Sequence, residues 1–323
     1  SGFAQNYEQL LVIRVLQGLG FGAEWAVGAV LLGEVIDPKH RGKALGTVHS
    51  GAAIGSALAA FLAGPVASAF SPDLGWRVVF WAGILPAVLI FFIRRGSDDS
   101  EIFKRAKQRA DASGKRHSLA AIFQPRVLRI TSLAAMLSLG VQGAAYSISN
   151  YLTPFLTSER GFTQSTAGVV VMCLSAGGFF GFLTNAYTSD LVGRRNVFRL
   201  FGSGFVIMSL TFVLGTAGTS STVIGAVAFV YGFFQFGMYA SFGAYFTELF
   251  PTELRGSGQA FAYNFGRAGS AFFVMFVPLI ALSTGLSAAM GIMGAIGIAI
   301  VILAIAFLPE TAGSTLKDLD PTD

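Results

Sequence analysis

The chain has 323 residues, of which only 12% are charged and 53% are Ala, Val, Ile, Leu, Met, Phe, Trp, Tyr or Cys, where a soluble domain carries about 25% charge. Together with 40 glycines, 31 phenylalanines and a mean hydropathy of +0.65, this is the composition of a membrane protein. It excludes a disordered chain and, because Cys173 is the only cysteine, a disulfide scaffold; the net charge of +5 resides in short basic loops between apolar runs, which favours a bilayer over nucleic acid as the partner.

Crossing a bilayer as a helix takes about 20 apolar residues. Nine stretches suffice: 9 to 36, 44 to 70, 76 to 93, 127 to 156, 166 to 187, 197 to 217, 222 to 250, 257 to 283 and 286 to 308. The first carries Arg14 towards one end and Glu24 at its middle, too far apart along a helix to pair. The second carries His49 near one end, where capping, packing or a proton relay are all open, and a small-residue stripe, Gly51, Gly55 and Ala59, that allows close helix approach. A long basic loop from Arg94 to Arg129 follows the third span. The fourth has Gln142, Tyr146 and Asn150 at steps of four, one polar stripe on one helix face, with Tyr151 beside it. Asp190, Arg194 and Arg195 lie between the fifth and sixth spans, and Gln235 and Tyr239 within the seventh. The eighth holds Tyr263, Asn264 and, near its middle, Arg267.

Basic residues sort these spans into an orientation. Of the 22 Lys and Arg residues, all but Arg14, Arg77, Arg160 and Arg267 fall in the loops 37 to 43, 94 to 129, 190 to 199 and 251 to 256 or in the tail from 309. Those loops and the C-terminus are therefore expected in the cytoplasm and residue 1 outside. A repeat accompanies the topology. Glu34, Arg41 and Gly42 after the first span recur at the same spacing as Glu248, Arg255 and Gly256 after the seventh. The same offset carries the third span's end onto the ninth's, so spans one to three read as repeat partners of spans seven to nine. With no initiator Met and no signal pattern at Ser1, the expectation is a chain lacking about three N-terminal helices of a six-plus-six arrangement.

Twelve helices in two halves resemble the major facilitator superfamily, and the local motifs agree. Asp190-Leu-Val-Gly193-Arg194-Arg195 is similar to a cytoplasmic loop motif of that family, with Ala186 and Leu191 departing from its pattern. Pro309-Glu310-Thr311 after the last span and the Glu/Pro/Arg/Gly loops resemble the sugar and organic-acid branches. The run from Arg14 to Trp25, with Gln17, Gly18, Gly20, Gly22 and Glu24, looks like that of metabolite:proton symporters and carboxylate carriers, and Tyr263-Asn264-Phe-Gly266-Arg267 is similar to a buried-Arg helix of acid carriers. The resemblance implies an all-α membrane protein with nine transmembrane helices of an expected twelve. Its parts would be a partial N-terminal bundle over 1–93, a cytoplasmic loop over 94–126 and a six-helix C-terminal bundle over 127–323. It also implies a monomeric, multi-pass protein of the inner or plasma membrane that moves a small organic acid with a proton by alternating access.

A charge at mid-membrane costs several kcal/mol unless paired or solvated, so Arg267 and Glu24 are candidates by rarity alone. Arg267 suits a carboxylate, with Tyr263, Asn264, Gln142, Tyr146, Asn150 and Tyr239 as further substrate contacts, and Glu24 suits a coupling proton. Structural ion pairs and helix-to-helix hydrogen bonds are the competing readings. Glu34 with Arg41, Asp190 with Arg194 and Arg195, and Glu248 with Arg255 are expected to form cytoplasmic charge networks that gate one conformation. A sugar or polyol substrate is the alternative, and a channel or membrane-embedded enzyme a more distant one. No metal or cofactor is expected. Gly18, Gly20 and Gly22 sit inside an apolar run rather than between strand and helix, no phosphate-binding loop occurs, and no nucleophile lies beside a base.

Overall fold

A computed structural model describes residues 1–18, 20, 36, 40–85, 119–214, 218–251 and 254–312. Among them there is no strand, and the helical segments follow the hydropathy: α1 (residues 7–18), α2 (Arg41–Phe61), α3 (Pro72–Ala82), α4 (Pro125–Ser149), α5 (Gln164–Val192), α6 (Arg194–Leu214), α7 (Ser221–Leu249), α8 (Arg255–Thr284) and α9 (Leu286–Phe307). Six helical stretches among the described residues are long and apolar enough to cross a membrane: Lys43–Val66, Pro125–Glu159, Gln164–Val192, Ser221–Leu249, Arg255–Thr284 and Leu286–Phe307. The other three expected spans, 9 to 36, 76 to 93 and 197 to 217, each run in part into residues outside this description.

Helix ends follow local chemistry. Pro125 and Pro72 stand at the starts of α4 and α3, where a missing N–H costs nothing. Thr163 caps α5 by accepting from the Thr166 N–H at 3.2 Å. Pro65 cannot donate within α2's continuation, and the chain there widens into a π turn over Leu62–Val66. The expected loop around Asp190 is a correction: α5 runs to Val192, α6 begins at Arg194, and Gly193 alone joins them at φ 94° and ψ 157°, a conformation essentially restricted to glycine.

Lipid tails are as apolar as leucine, so helix association in a bilayer depends on close packing rather than on apolar burial. Glycines supply it. A Cβ at Gly177 or Gly181 of α5 would run into the Phe229 or Phe233 carbonyl of α7, and one at Gly232 of α7 into the Leu174 carbonyl of α5. Gly140 of α4 and Gly297 of α9 face each other's carbonyls in the same way, at 2.6 and 2.7 Å from the added carbons. These approaches seat α7 against α5 and α4 between α8 and α9. Phe198, Phe201, Phe205 and Phe212 of α6 and Tyr231, Phe242, Tyr245 and Phe246 of α7 fill the fully buried centre, with tilted and edge-on ring pairs such as Phe201–Phe234 at 5.9 Å and 69°.

One seam joins α2 to this bundle. Leu45 meets Ala244, Ala53 packs with Phe182 and Ala240, and a Cβ on Gly46 would collide with Ala186. The His49 ring stacks on Phe182 at 6.2 Å and 10°, its Nδ1 lying 2.7 Å from the Leu45 carbonyl oxygen. Ser175 donates to Ser56 at 3.3 Å. The expected stripe of Gly51, Gly55 and Ala59 does not serve this contact. Among the described residues nothing lies within 4 Å of a Cβ added at Gly51 or Gly55, because the face turned to α5 and α7 is the one bearing Leu45, Gly46, His49 and Ala53.

At the end of the bundle opposite Asp190, Arg77 donates from NH1 to the Gly2 and Ala4 carbonyls at 2.9 and 2.7 Å and lies over Trp76. Arg14 stacks on Phe80 at 4.8 Å and donates to Gln17, a surface role. Glu159 accepts from the Leu286 N–H at 2.6 Å and the Ser287 N–H at 3.3 Å, a carboxylate at the positive end of α9.

Candidate functional site

Two polar constellations stand out from the apolar packing. The first lies where α4, α7 and α8 cross. Gln142, fully buried, donates from Nε2 to Ser138 Oγ at 2.7 Å and to the Tyr263 carbonyl at 2.9 Å, and Ser138 Oγ donates to that carbonyl at 3.2 Å. Gly266 makes the approach feasible, since a Cβ there would sit 2.3 Å from Ser138 Oγ. The amide nitrogen of Gln142 thus ties α4 to α8, while its Oε1 is buried without a hydrogen-bond partner. A buried acceptor left unmade costs about 1–3 kcal/mol, a cost that a ligand donor would remove.

Gln235 of α7 repeats the arrangement, Nε2 donating to Ser149 Oγ at 2.8 Å and Oε1 buried without a partner. Next along that face, Tyr239 has a buried hydroxyl with no hydrogen-bond partner. Tyr146, Tyr263, Tyr231 and Arg267 all lie within electrostatic reach of that hydroxyl. Tyr239 and Tyr263 both meet Phe242 edge-on, at 5.7 Å and 88° and at 5.9 Å and 83°. The sequence-derived residues Arg267, Tyr263, Tyr239, Tyr146 and Gln142 are therefore brought together from three helices. Arg267 is half-buried. Asn264 donates to its own helix at Ala260, 2.9 Å away. Asn150, the residue after α4, keeps helical backbone, is exposed and donates from its side chain to the Tyr146 carbonyl at 3.0 Å. Tyr151 donates to the Val274 carbonyl, a further tie to α8.

The second constellation is ionic. Arg194, 1% exposed, forks onto Glu248 with Nε to Oε2 at 3.0 Å and NH2 to Oε1 at 2.8 Å, and donates from NH1 to Asp190 Oδ1 at 2.7 Å and Ser189 Oγ at 2.9 Å. Fork geometry of this kind is what a planar guanidinium supplies and an ammonium does not. Thr311 Oγ1 donates to Glu248 at 2.7 Å. Asp190 also accepts the Lys43 N–H at 3.2 Å, so a carboxylate of α5 sits at the positive end of α2 across the seam. Glu310 closes the α5–α6 joint, accepting from the backbone N–H groups of Arg194, Arg195, Thr311 and Ala312 at 2.7, 3.0, 3.0 and 3.1 Å. Burial alone would raise its carboxyl, but these four donors hold it below the usual carboxylate value.

Here the expected pairings need revision. Arg195 does not join Asp190: one helical position beyond Arg194 it points about 100° away, and its NH2 donates to the Ala306 carbonyl at 3.1 Å. Glu248 is held by Arg194, and Arg255, also buried, donates from Nε to the Thr247 carbonyl at 2.9 Å. Thr311 and Tyr245, whose hydroxyl donates to the Pro309 carbonyl at 2.6 Å, belong to the same end of the bundle and carry no local sequence signal. Glu24 and Glu34 lie outside the described residues, and Arg41 begins α2 with its side chain outside the description. Among the described residues no group of His, Cys, Asp and Glu is arranged to hold a metal ion.

An all-helical bundle of long apolar helices, with a buried polar crossing at its centre and an ion-pair cluster at one end, has the architecture of a multi-pass membrane protein. Its first 274 residues match the family model described as Major Facilitator Superfamily, and the chain belongs to that superfamily. It is 40% identical over its whole length, and over 74% of the relative, to a "Probable 4-methylmuconolactone transporter" of Cupriavidus pinatubonensis. It is 28% identical to a "Cis,cis-muconate transport protein" of Acinetobacter baylyi, covering 91% of this chain and 70% of the relative. Identity to a "3-(3-hydroxy-phenyl)propionate transporter" of Escherichia coli is 29%, over 88% and 68%. The fold is shared with the structure of the proton:xylose symporter XylE, at TM-score 0.70 and 18% identity, covering 91% of this chain and 69% of that one. Transporters of this kind are not enzymes.

Proposed function

We propose that the protein carries a small organic acid together with a proton, the substrate sitting between the helix bundles beside Arg267. The observation that carries this reading is the company Arg267 keeps at the middle of α8: Tyr239 and Tyr263 share its surroundings, with Tyr146 near both hydroxyls and Phe242 edge-on to both rings, groups drawn from three helices. The guanidinium suits a carboxylate, and the edge-on rings suit a flat unsaturated or aromatic carbon skeleton. The Tyr239 hydroxyl can donate to a further substrate oxygen, and the unmade acceptors of Gln142 and Gln235 can take a substrate hydroxyl or protonated carboxyl. Muconolactone, muconate and a hydroxyphenylpropionate, named for three of the relatives, are compact molecules of this type and support the class of substrate.

Glu24 is the residue we assign to the coupling proton, and Asp190, Arg194, Arg195, Glu248, Arg255, Glu34 and Arg41 are those we assign to gating. The basic loops and the C-terminus are placed in the cytoplasm of a cell's plasma membrane, residues 1–93 and 127–323 forming two bundles either side of the 94–126 loop in a monomer. A sugar or polyol substrate is the second reading, favoured by the amides of Gln142 and Gln235. Competition between labelled carboxylates and sugars for uptake separates the two: carboxylate inhibition by carboxylates alone supports the acid reading, and inhibition by sugars alone replaces it.

A further inference from the structure

On the outer face of the bundle α6 and α9 part along a furrow that encloses about 280 Å³. Its floor is Gly202, where nothing lies within 4 Å of an added Cβ, and its α9 wall carries Ile298 and the exposed Ile302. The wall is apolar almost throughout and opens towards the lipid, and the volume lies just below the roughly 300–1,000 Å³ of sites for whole small molecules. A segment of one acyl chain fits that space and chemistry.

The furrow is apolar along its length but basic at one end. Arg199 lines it there, exposed, with a hydrogen bond to the neutral Asn196 side chain at 3.3 Å. Arg195, one helical turn away, is turned to the Ala306 carbonyl with its Nε buried, so Arg199 is the exposed cation of this furrow. Among the described residues, the carboxylates bonded to the start of α6 are already engaged: Glu310 accepts four backbone N–H groups and Asp190 is held by Arg194. An apolar slot with an exposed cation at its mouth is complementary to one kind of molecule in a bilayer.

We propose that the α6–α9 furrow binds an anionic phospholipid, one acyl chain lying over Gly202 and the headgroup phosphate against Arg199. The lipid comes from the leaflet that borders Arg199, which is the cytoplasmic one on the orientation given under Proposed function. The site is separate from the substrate crossing.

Native mass spectrometry of the full protein, titrated with equal amounts of phosphatidylglycerol and phosphatidylcholine of the same chains, tests it. Wild type is expected to retain phosphatidylglycerol about five-fold better, the effect of one interfacial basic residue. Arg199→Gln is expected to abolish that preference, and Gly202→Phe, whose ring enters open space, to reduce retention of both lipids. Equal retention of the two lipids by wild type, indifference to both variants, or a dimer that covers the furrow in place of lipid would overturn the proposal. Uptake by the same preparations reports on the substrate reading separately, so either can fail alone.

Discussion

Arg194 and Glu248, 54 residues apart, form a two-pronged ion pair at 2.8 and 3.0 Å that is 1% and 2% exposed. It links the start of α6 to the end of α7, and Asp190 extends it to the Lys43 N–H of α2. Breaking such a pair from one side leaves a buried charge uncompensated. Arg194→Gln, which takes the guanidinium away from two carboxylates, is expected to destabilise the protein by about 3 kcal/mol and Glu248→Gln by less, read as thermal midpoints in detergent.

Gly193 stands at φ 94°, and a Cβ there would lie 2.8 Å from Glu310 Oε2. Gly193→Ala therefore meets both backbone strain and the carboxylate that caps α6. A loss of about 1–3 kcal/mol is expected, again from thermal midpoints, and Glu310→Ala, which removes the cap but also the clash, should cost less in that background than in wild type.

The Glu310 carboxyl is held below its ordinary value of 4.5 by four backbone donors. Its pKa is lower folded than unfolded, so its contribution is present above 4.5 and is lost as the pH falls through the depressed folded value. The thermal midpoint of wild type should drop on that acid side more steeply than that of Glu310→Gln, and the two should run parallel above it.

Glu24 is the carboxylate assigned to the coupling proton. Glu24→Gln should uncouple uptake from the proton gradient while leaving substrate exchange across equilibrated vesicles near wild type. A variant that loses exchange and gradient-driven uptake equally would make Glu24 structural.

The helices were legible because a bilayer demands long apolar runs: α7, α8 and α9 each end within two residues of where hydropathy puts them, while α4 stops seven residues short of its expected span and α5 runs five past it. The step of four from Gln142 to Tyr146 was legible for the same local reason. What could not be read was partner choice. Asp190 with Arg194 is a one-turn neighbour and visible in the spacing, but Glu248 and Glu310 reach Arg194 from 54 and 116 residues away. Nothing in the local pattern separates Arg194, buried in the ion-pair cluster, from Arg195, turned to Ala306. Likewise Gly51 and Gly55 carry the small-residue spacing, yet the tight approach to α5 is made by Gly46, because the spacing does not say which face of α2 meets its neighbour.

Uptake of a labelled carboxylate by wild type, Arg267→Lys and Arg267→Ala tests the central claim most directly. If Arg267 holds the carboxylate, Arg267→Ala raises the half-saturating concentration roughly ten- to hundredfold, and Arg267→Lys, which keeps the charge but loses the fork, lies between. Unchanged carboxylate uptake in Arg267→Ala would contradict the account and return Arg267 to a packing role.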